Sequence, residues 1–277
     1  MSRALVLSGG GSVGIAWQSG LVVGLAEAGV DLRTMDRVVG TSAGSAVGAQ
    51  IKLGRDLADQ VARYRGRAVP RGASTGQPSG SSSGTSTAQR MAKLMEVMAG
   101  SADSSPEDRR RSIGRYALEA ETGPEESFVG SFSYLKGESW PSGYACTAIE
   151  AATGEFVVWE GQEGVELDRA VASSCAVPGL FPPITINGRR HIDGGMRSGT
   201  NADLVKGSDR VLIVTLMTGT RPGIDPAWAD RMRRAREKEL EEIRAAGGEI
   251  ATIAPDAESS SALGVNLMDG SRLLEAA

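Results

Sequence analysis

Ser42, His191 and Asp193 set the chemical choices open to this 277-residue chain. Ser42 stands in Gly40-Thr41-Ser42-Ala43-Gly44, with the apolar pair Val38-Val39 before it and a helical stretch, Ser45 to Leu53, after it. Strand, sharp turn and helix are the context that lifts a nucleophilic serine out of the backbone at the end of a sheet strand. Small neighbours suit such a turn, because its strained backbone tolerates no bulk. Spelling alone does not decide. Gly80-Ser81-Ser82-Ser83-Gly84 fits the same pattern but sits in a low-complexity stretch, about 70–88, that reads as a flexible loop. Context favours Ser42.

A serine hydroxyl is a poor nucleophile until a neighbouring base takes its proton. His191 is the only histidine, and Asp193 follows it on the same predicted strand. A triad drawn from one strand is awkward, since the acid must reach the far side of the imidazole, so His191 reads as structural. The carboxylate in Asp193-Gly194-Gly195 is then the best candidate base. A free aspartate, with a pKa of about 3.9, is weak for that task. Burial would raise its pKa and a hydrogen bond to Ser42 would align it. The same tripeptide also reads as a plain turn.

Gly9-Gly10-Gly11-Ser12-Val13-Gly14 has two readings as well. It matches the dinucleotide-binding fingerprint, with Asp31 or Asp36 as the ribose acid. It also matches an oxyanion hole, in which amides of Gly10, Gly11 and Ser12 at a helix N-terminus face a developing negative charge. A second strand that runs into the Ser42 turn favours the oxyanion hole.

These residues need elements to hold them. Arg3 to Ser8 reads as a buried strand, Ile15 to Ala28 as a helix, Arg37 to Gly40 as a strand and Gly44 to Gly54 as a helix. Strands alternating with helices imply a parallel sheet covered on both faces, with sites at the carboxyl ends of its strands. Gly143 to Ile149, Glu155 to Trp159 and Val211 to Met217 are further strands, Leu167 to Cys175 a short helix, and Ile184 to Asp193 a hairpin turning at Asn187-Gly188. Met91, Leu94, Met95 and Met98 recur at helical spacing, either as a helix packed on the domain or as an apolar lid. Pro226 to Ala246 reads as a long charged helix, followed by Ile250 to Ile253 and a last helix near Ser271. One domain over 1–277 is expected, with a C-terminal helical extension over about 225–277.

Net charge is −4, which argues against a nucleic-acid partner. Two cysteines and one histidine make neither a disulfide framework nor a zinc cluster, so no metal or cofactor is expected. Neither a signal peptide nor a spanning run is evident, and a cytoplasmic protein is the expectation.

Taken together and in this order, the glycine-rich loop, the serine turn and Asp193-Gly194-Gly195 resemble the patatin-like phospholipases. Ala172-Ser173-Ser174-Cys175-Ala176-Val177-Pro178, Phe181-Pro182-Pro183 and Asn201 add to the likeness, which covers about 5–214. It implies a three-layer α/β/α fold with a central, mostly parallel sheet. It also implies a Ser42–Asp193 dyad, an oxyanion loop at Gly10, Gly11 and Ser12, and supporting glycines at Gly9, Gly14, Gly40, Gly44, Gly194 and Gly195. The implied partner is a lipid or acyl-ester substrate, with room for transient contact with a membrane surface. A non-catalytic nucleotide- or lipid-binding module that keeps the fold is the competing class. Two positions depart from the family pattern: Val13 stands where Arg or Lys is usual, and Ala202 stands where proline commonly follows the asparagine.

Overall fold

Alternation along the first strand decides the layering. In β1 (Arg3–Leu7), Leu5 and Leu7 face one apolar cluster while Ala4 and Val6 face another. Successive side chains of a strand point to opposite faces, so a strand apolar on both must be covered twice. β2 (Arg37–Gly40) repeats the division with Val38 and Val39, and β3 (Tyr144–Glu150) with Cys146 and Ala145.

The computed structural model describes residues 1–66, 87–100, 104–216 and 226–277. Among them the helices are α1 (Gly11–Glu27), α2 (Ala43–Lys52), α3 (Ala58–Gly66), α4 (Thr87–Ala99), α5 (Pro106–Glu119), α6 (Glu125–Val129), α7 (Leu167–Ser174), α8 (Pro226–Ala245), α9 (Ala257–Leu263) and α10 (Leu273–Ala276). The remaining strands are β4 (Phe156–Trp159), β5 (Ile184–Ile186), β6 (Arg189–Asp193), β7 (Arg210–Val214) and β8 (Glu249–Ile253). All eight strands form one sheet in the order β5-β6-β3-β2-β1-β7-β8, with β4 also pairing β3.

The run from β3 through β2, β1 and β7 to β8 is parallel, and β4, β5 and β6 add antiparallel pairings at the other side. Helices α2 and α7 cover the face of Leu5 and Leu7, whereas α8 covers the face of Val6 and Val211. The result is the three-layer α/β/α arrangement. The predicted hairpin forms, with Asn187 and Gly188 both at positive φ as a type I′ turn demands.

Several expectations need adjustment. Helix α1 begins at Gly11, four residues before the predicted Ile15, so it starts inside the glycine-rich loop. The stretch after 225 is not only helical, because β8 pairs with β7 and extends the sheet. Helix α4 packs on the domain: Leu94 and Met98 are buried with Ile113 and Ala117 of α5. The loop expected over about 70–88 falls outside the described residues up to 86, as does the Gly80–Gly84 pattern, and Thr87 already belongs to α4. Among the described residues, no helix is long and apolar enough to cross a membrane.

Gly44 shows how tightly the sheet and α2 meet. A Cβ there would lie 2.1 Å from the carbonyl oxygen of Leu7, backbone that cannot step aside. Gly44→Ala is therefore expected to destabilise the fold by about 3 kcal/mol, the upper part of the overpacking range. Gly24, inside α1 with nothing within 4 Å of its added Cβ, should instead gain about 0.5–1 kcal/mol on replacement by alanine. Urea unfolding midpoints of the two variants, shifted in opposite directions, check this.

Candidate active site

Ser42 closes β2 and caps α2 with φ 52° and ψ −120°, a backbone state that a non-glycine residue holds only when its surroundings over-determine it. The surroundings do so. The Ser42 N–H donates to Ser174 Oγ at 3.0 Å, and the Ser42 carbonyl accepts from Ser45 Oγ at 2.6 Å and from the Cys175 thiol at 3.2 Å. Thr41 N–H donates to Leu7 O at 3.0 Å, and Gly44 N–H to Ser8 O at 3.1 Å. Gly40 is required for the same compactness, because a Cβ there would sit 2.4 Å from Gly44 O. Burial pushes the Cys175 thiol well up, so it stays protonated and keeps its donor role.

Asp193 ends β6 and is 2% exposed. Its Oδ1 accepts the Gly195 N–H at 2.7 Å, and the Ser42 side chain lies close enough to the carboxyl group to lower its pKa. Burial lifts its pKa from 3.8 to about 7, and the Ser42 side chain and the Gly195 N–H hold it back from rising further. Gly194 cannot carry a side chain, as a Cβ would fall 2.2 Å from Thr147 Oγ1. The structure thus brings Ser42 and Asp193 together from two strands far apart in sequence.

The glycine loop completes the cluster. A Cβ on Gly9 would touch the Ser42 Cβ at 3.4 Å. The Gly9 N–H is already bonded to Gly199 O at 3.0 Å. Among the described residues, no protein acceptor takes the N–H groups of Gly10, Gly11 or Ser12, the cap and first two residues of α1. Unpaired amides at a helix start carry partial positive charge and attract an anion. Gln18 Nε2 donates to Ser8 O at 3.0 Å from within α1 and holds the strand end beneath the loop.

The other candidates have different work. His191 packs edge-on to the Trp159 ring at 4.9 Å, and burial pushes its pKa down. Asp31 accepts from Arg33 and Asp36 from the Arg3 N–H, so both proposed ribose acids are engaged in local structure. Val13 is fully buried with Ala16, Leu216, Leu263 and Leu273, which explains an apolar residue where a cation is usual.

Asn201, at φ 50°, ties the two halves of the site. Its Nδ2 donates to Thr41 Oγ1 at 3.0 Å and to Ser198 O at 2.9 Å, and its Oδ1 accepts from Arg197 at 2.8 Å. The departure at Ala202 has a physical reason. Its N–H donates to Glu239 Oε2 at 2.9 Å, a bond that proline cannot make. Glu239, buried on α8, also accepts from Thr200 Oγ1 at 2.7 Å.

Sequence reasoning missed Glu239 and the side-chain roles of Ser174 and Cys175. The last two lay inside a quoted motif, but nothing in it says that both meet Ser42. Also missed was an aromatic wall of Phe128, Phe132 and Phe181 beside the serine.

The family model for patatin-like phospholipases matches residues 5–206. An uncharacterized NTE family protein of Mycobacterium tuberculosis is 27% identical over 204 residues, covering 74% of this chain and 28% of the relative. A second, from Mycobacterium bovis, is 26% identical over 209 residues with the same shares. The chain therefore spans about 28% of the length of these relatives. Among solved structures, VipD from Legionella pneumophila aligns over 99% of this chain and 66% of its own, with 13% identity and a TM-score of 0.42. ExoU from Pseudomonas aeruginosa, in complex with SpcU, aligns over 100% and 52%, with 16% identity and a TM-score of 0.40.

Proposed function

The chain belongs to the patatin-like phospholipase family, and we propose that it hydrolyses lipid acyl esters through a Ser42–Asp193 dyad. The observation that carries this reading is a serine in a strained turn against a buried aspartate whose pKa is lifted to about 7. A carboxylate of that basicity holds a proton far better than a free one, so it can draw the proton from a hydroxyl under attack.

Ser42 Oγ attacks the ester carbonyl carbon while its proton passes to Asp193. The carbonyl oxygen becomes an oxyanion held by N–H groups of Gly10, Gly11 and Ser12, donors worth about 3 kcal/mol of barrier each. The intermediate collapses, the C–O bond to the alcohol breaks, and Asp193 returns its proton to the departing oxygen. Water then attacks the acyl-enzyme, loses a proton to Asp193, and forms the carboxylic acid. Asp193 returns that proton to Ser42 Oγ as the serine leaves. No net charge is created or lost over the cycle.

A fluorophosphonate reacts only with an activated serine, and the adduct on Ser42 is the expected product. The active form carries ionised Asp193, so labelling and ester hydrolysis should rise with pH through about 7 and level off above it. Below that point the rate should fall about tenfold per pH unit, as a single required deprotonation dictates. Folded protein without an adduct on Ser42 at pH 8 would defeat the hydrolase reading and leave the fold a binding module.

A further inference from the structure

Beside Ser42 lies a cavity of about 50 Å³, lined by Gly11, Phe128, Val177, Phe181 and Met268 among others. One wall is fixed. Phe128 and Phe181 stack with centroids 4.2 Å apart, Phe132 meets Phe128 edge-on at 5.5 Å, and all three belong to the main core.

Met268 forms a different kind of wall. It is half-buried on the irregular stretch between α9 and α10, and its thioether reaches the glycine loop. A Cβ on Gly11 would lie 2.7 Å from Met268 Sδ and 2.5 Å from Leu267 O. The stretch is pinned to α1 by the Val13 N–H, which donates to Leu267 O at 3.1 Å. The Met268 N–H in turn donates to Asn266 Oδ1 at 3.0 Å. An unbranched, adaptable side chain therefore bounds the cavity from a segment outside the family-matched residues 5–206.

We propose that Met268 is a specificity-determining residue that shapes the pocket beside Ser42 and so sets the acyl-chain-length preference. This narrows the hydrolase reading and rests on it. A chain that overfills an apolar pocket is rejected by roughly tenfold or more per misfitted methylene.

The test compares kcat/KM for nitrophenyl acetate, butyrate, octanoate and palmitate with the full chain. Met268→Ala should move the ratio of butyrate to octanoate toward octanoate by about tenfold or more, and Met268→Phe should shift the preference toward acetate. Met268→Leu, similar in volume, should keep the wild-type order. An unchanged ratio in both Met268→Ala and Met268→Phe overturns the proposal. Labelling of Ser42 by a small alkyl fluorophosphonate separates the two levels. An adduct with an unaltered chain-length profile sinks the role of Met268 alone, whereas no adduct and no ester turnover sinks the hydrolase reading with it.

Discussion

Ser42→Ala is expected to lower kcat for a nitrophenyl ester by on the order of 10⁴-fold or more, the scale at which nucleophile removal acts in serine hydrolases. Little stability should go with it. The Ser42 side chain makes no capping bond to α2. The contacts that hold the turn run through its backbone, to Ser174 Oγ, Ser45 Oγ and the Cys175 thiol. Alanine keeps all of them. A thermal melt close to wild type, together with lost turnover and lost fluorophosphonate labelling, is the expected pair of readings. Wild-type turnover in the folded variant would move the nucleophile to another residue.

Asp193→Asn should match that loss of turnover and yet produce a more stable protein above neutral pH. The unfolded carboxyl titrates near 3.8, the folded one at about 7. Below the lower value both states hold the proton, and burial of a neutral acid costs little. Between the two values the folded state keeps a proton that the unfolded state has released, so stability falls as pH rises. Above about 7 the folded protein carries a buried charge, and the accumulated loss is up to about 4 kcal/mol.

Asparagine is neutral throughout and still offers an oxygen to the Gly195 N–H. The stability difference between variant and wild type should therefore be smallest near pH 4 and widen up to pH 8, in urea unfolding followed across that range. A difference that stays flat with pH would mean that Asp193 titrates normally and would remove the physical basis for its role as base.

Much of this site was legible because its demands are local. Gly40 and Gly44 stand where any Cβ would strike backbone, and Gly11 and Gly194 carry the same steric signature. The alternation of strands with helices made a sheet covered on both faces readable as well. What escaped reading depends on distance in the chain. Ser174 reaches Ser42 across 132 positions and Glu239 reaches Ala202 across 37, and no local pattern announces either. The aromatic wall comes from α6, the turn after it and the segment beyond α7, which only packing brings together. Helix α5 was missed despite a legible start: Ser105 caps it by accepting the Asp108 N–H at 3.1 Å, with Pro106 in its first turn. Its charged sequence offered little apolar periodicity to draw attention to that start.

The reach of Glu239 has a further consequence. The family match stops at residue 206, but the surroundings of Ser42 and Asp193 do not stop there. β7 and β8 complete the sheet beyond it, Glu239 anchors the Thr200–Ala202 bend, and Leu267 and Met268 border the loop at α1. The recognisable sequence unit and the packed unit around the site are thus different objects. A graft that transplants only the recognised portion onto another scaffold would carry Ser42 and Asp193 without the framework that keeps them in register. Whatever replaces residues 207–277 in such a chimera must supply two strands, a buried carboxylate and a pocket wall.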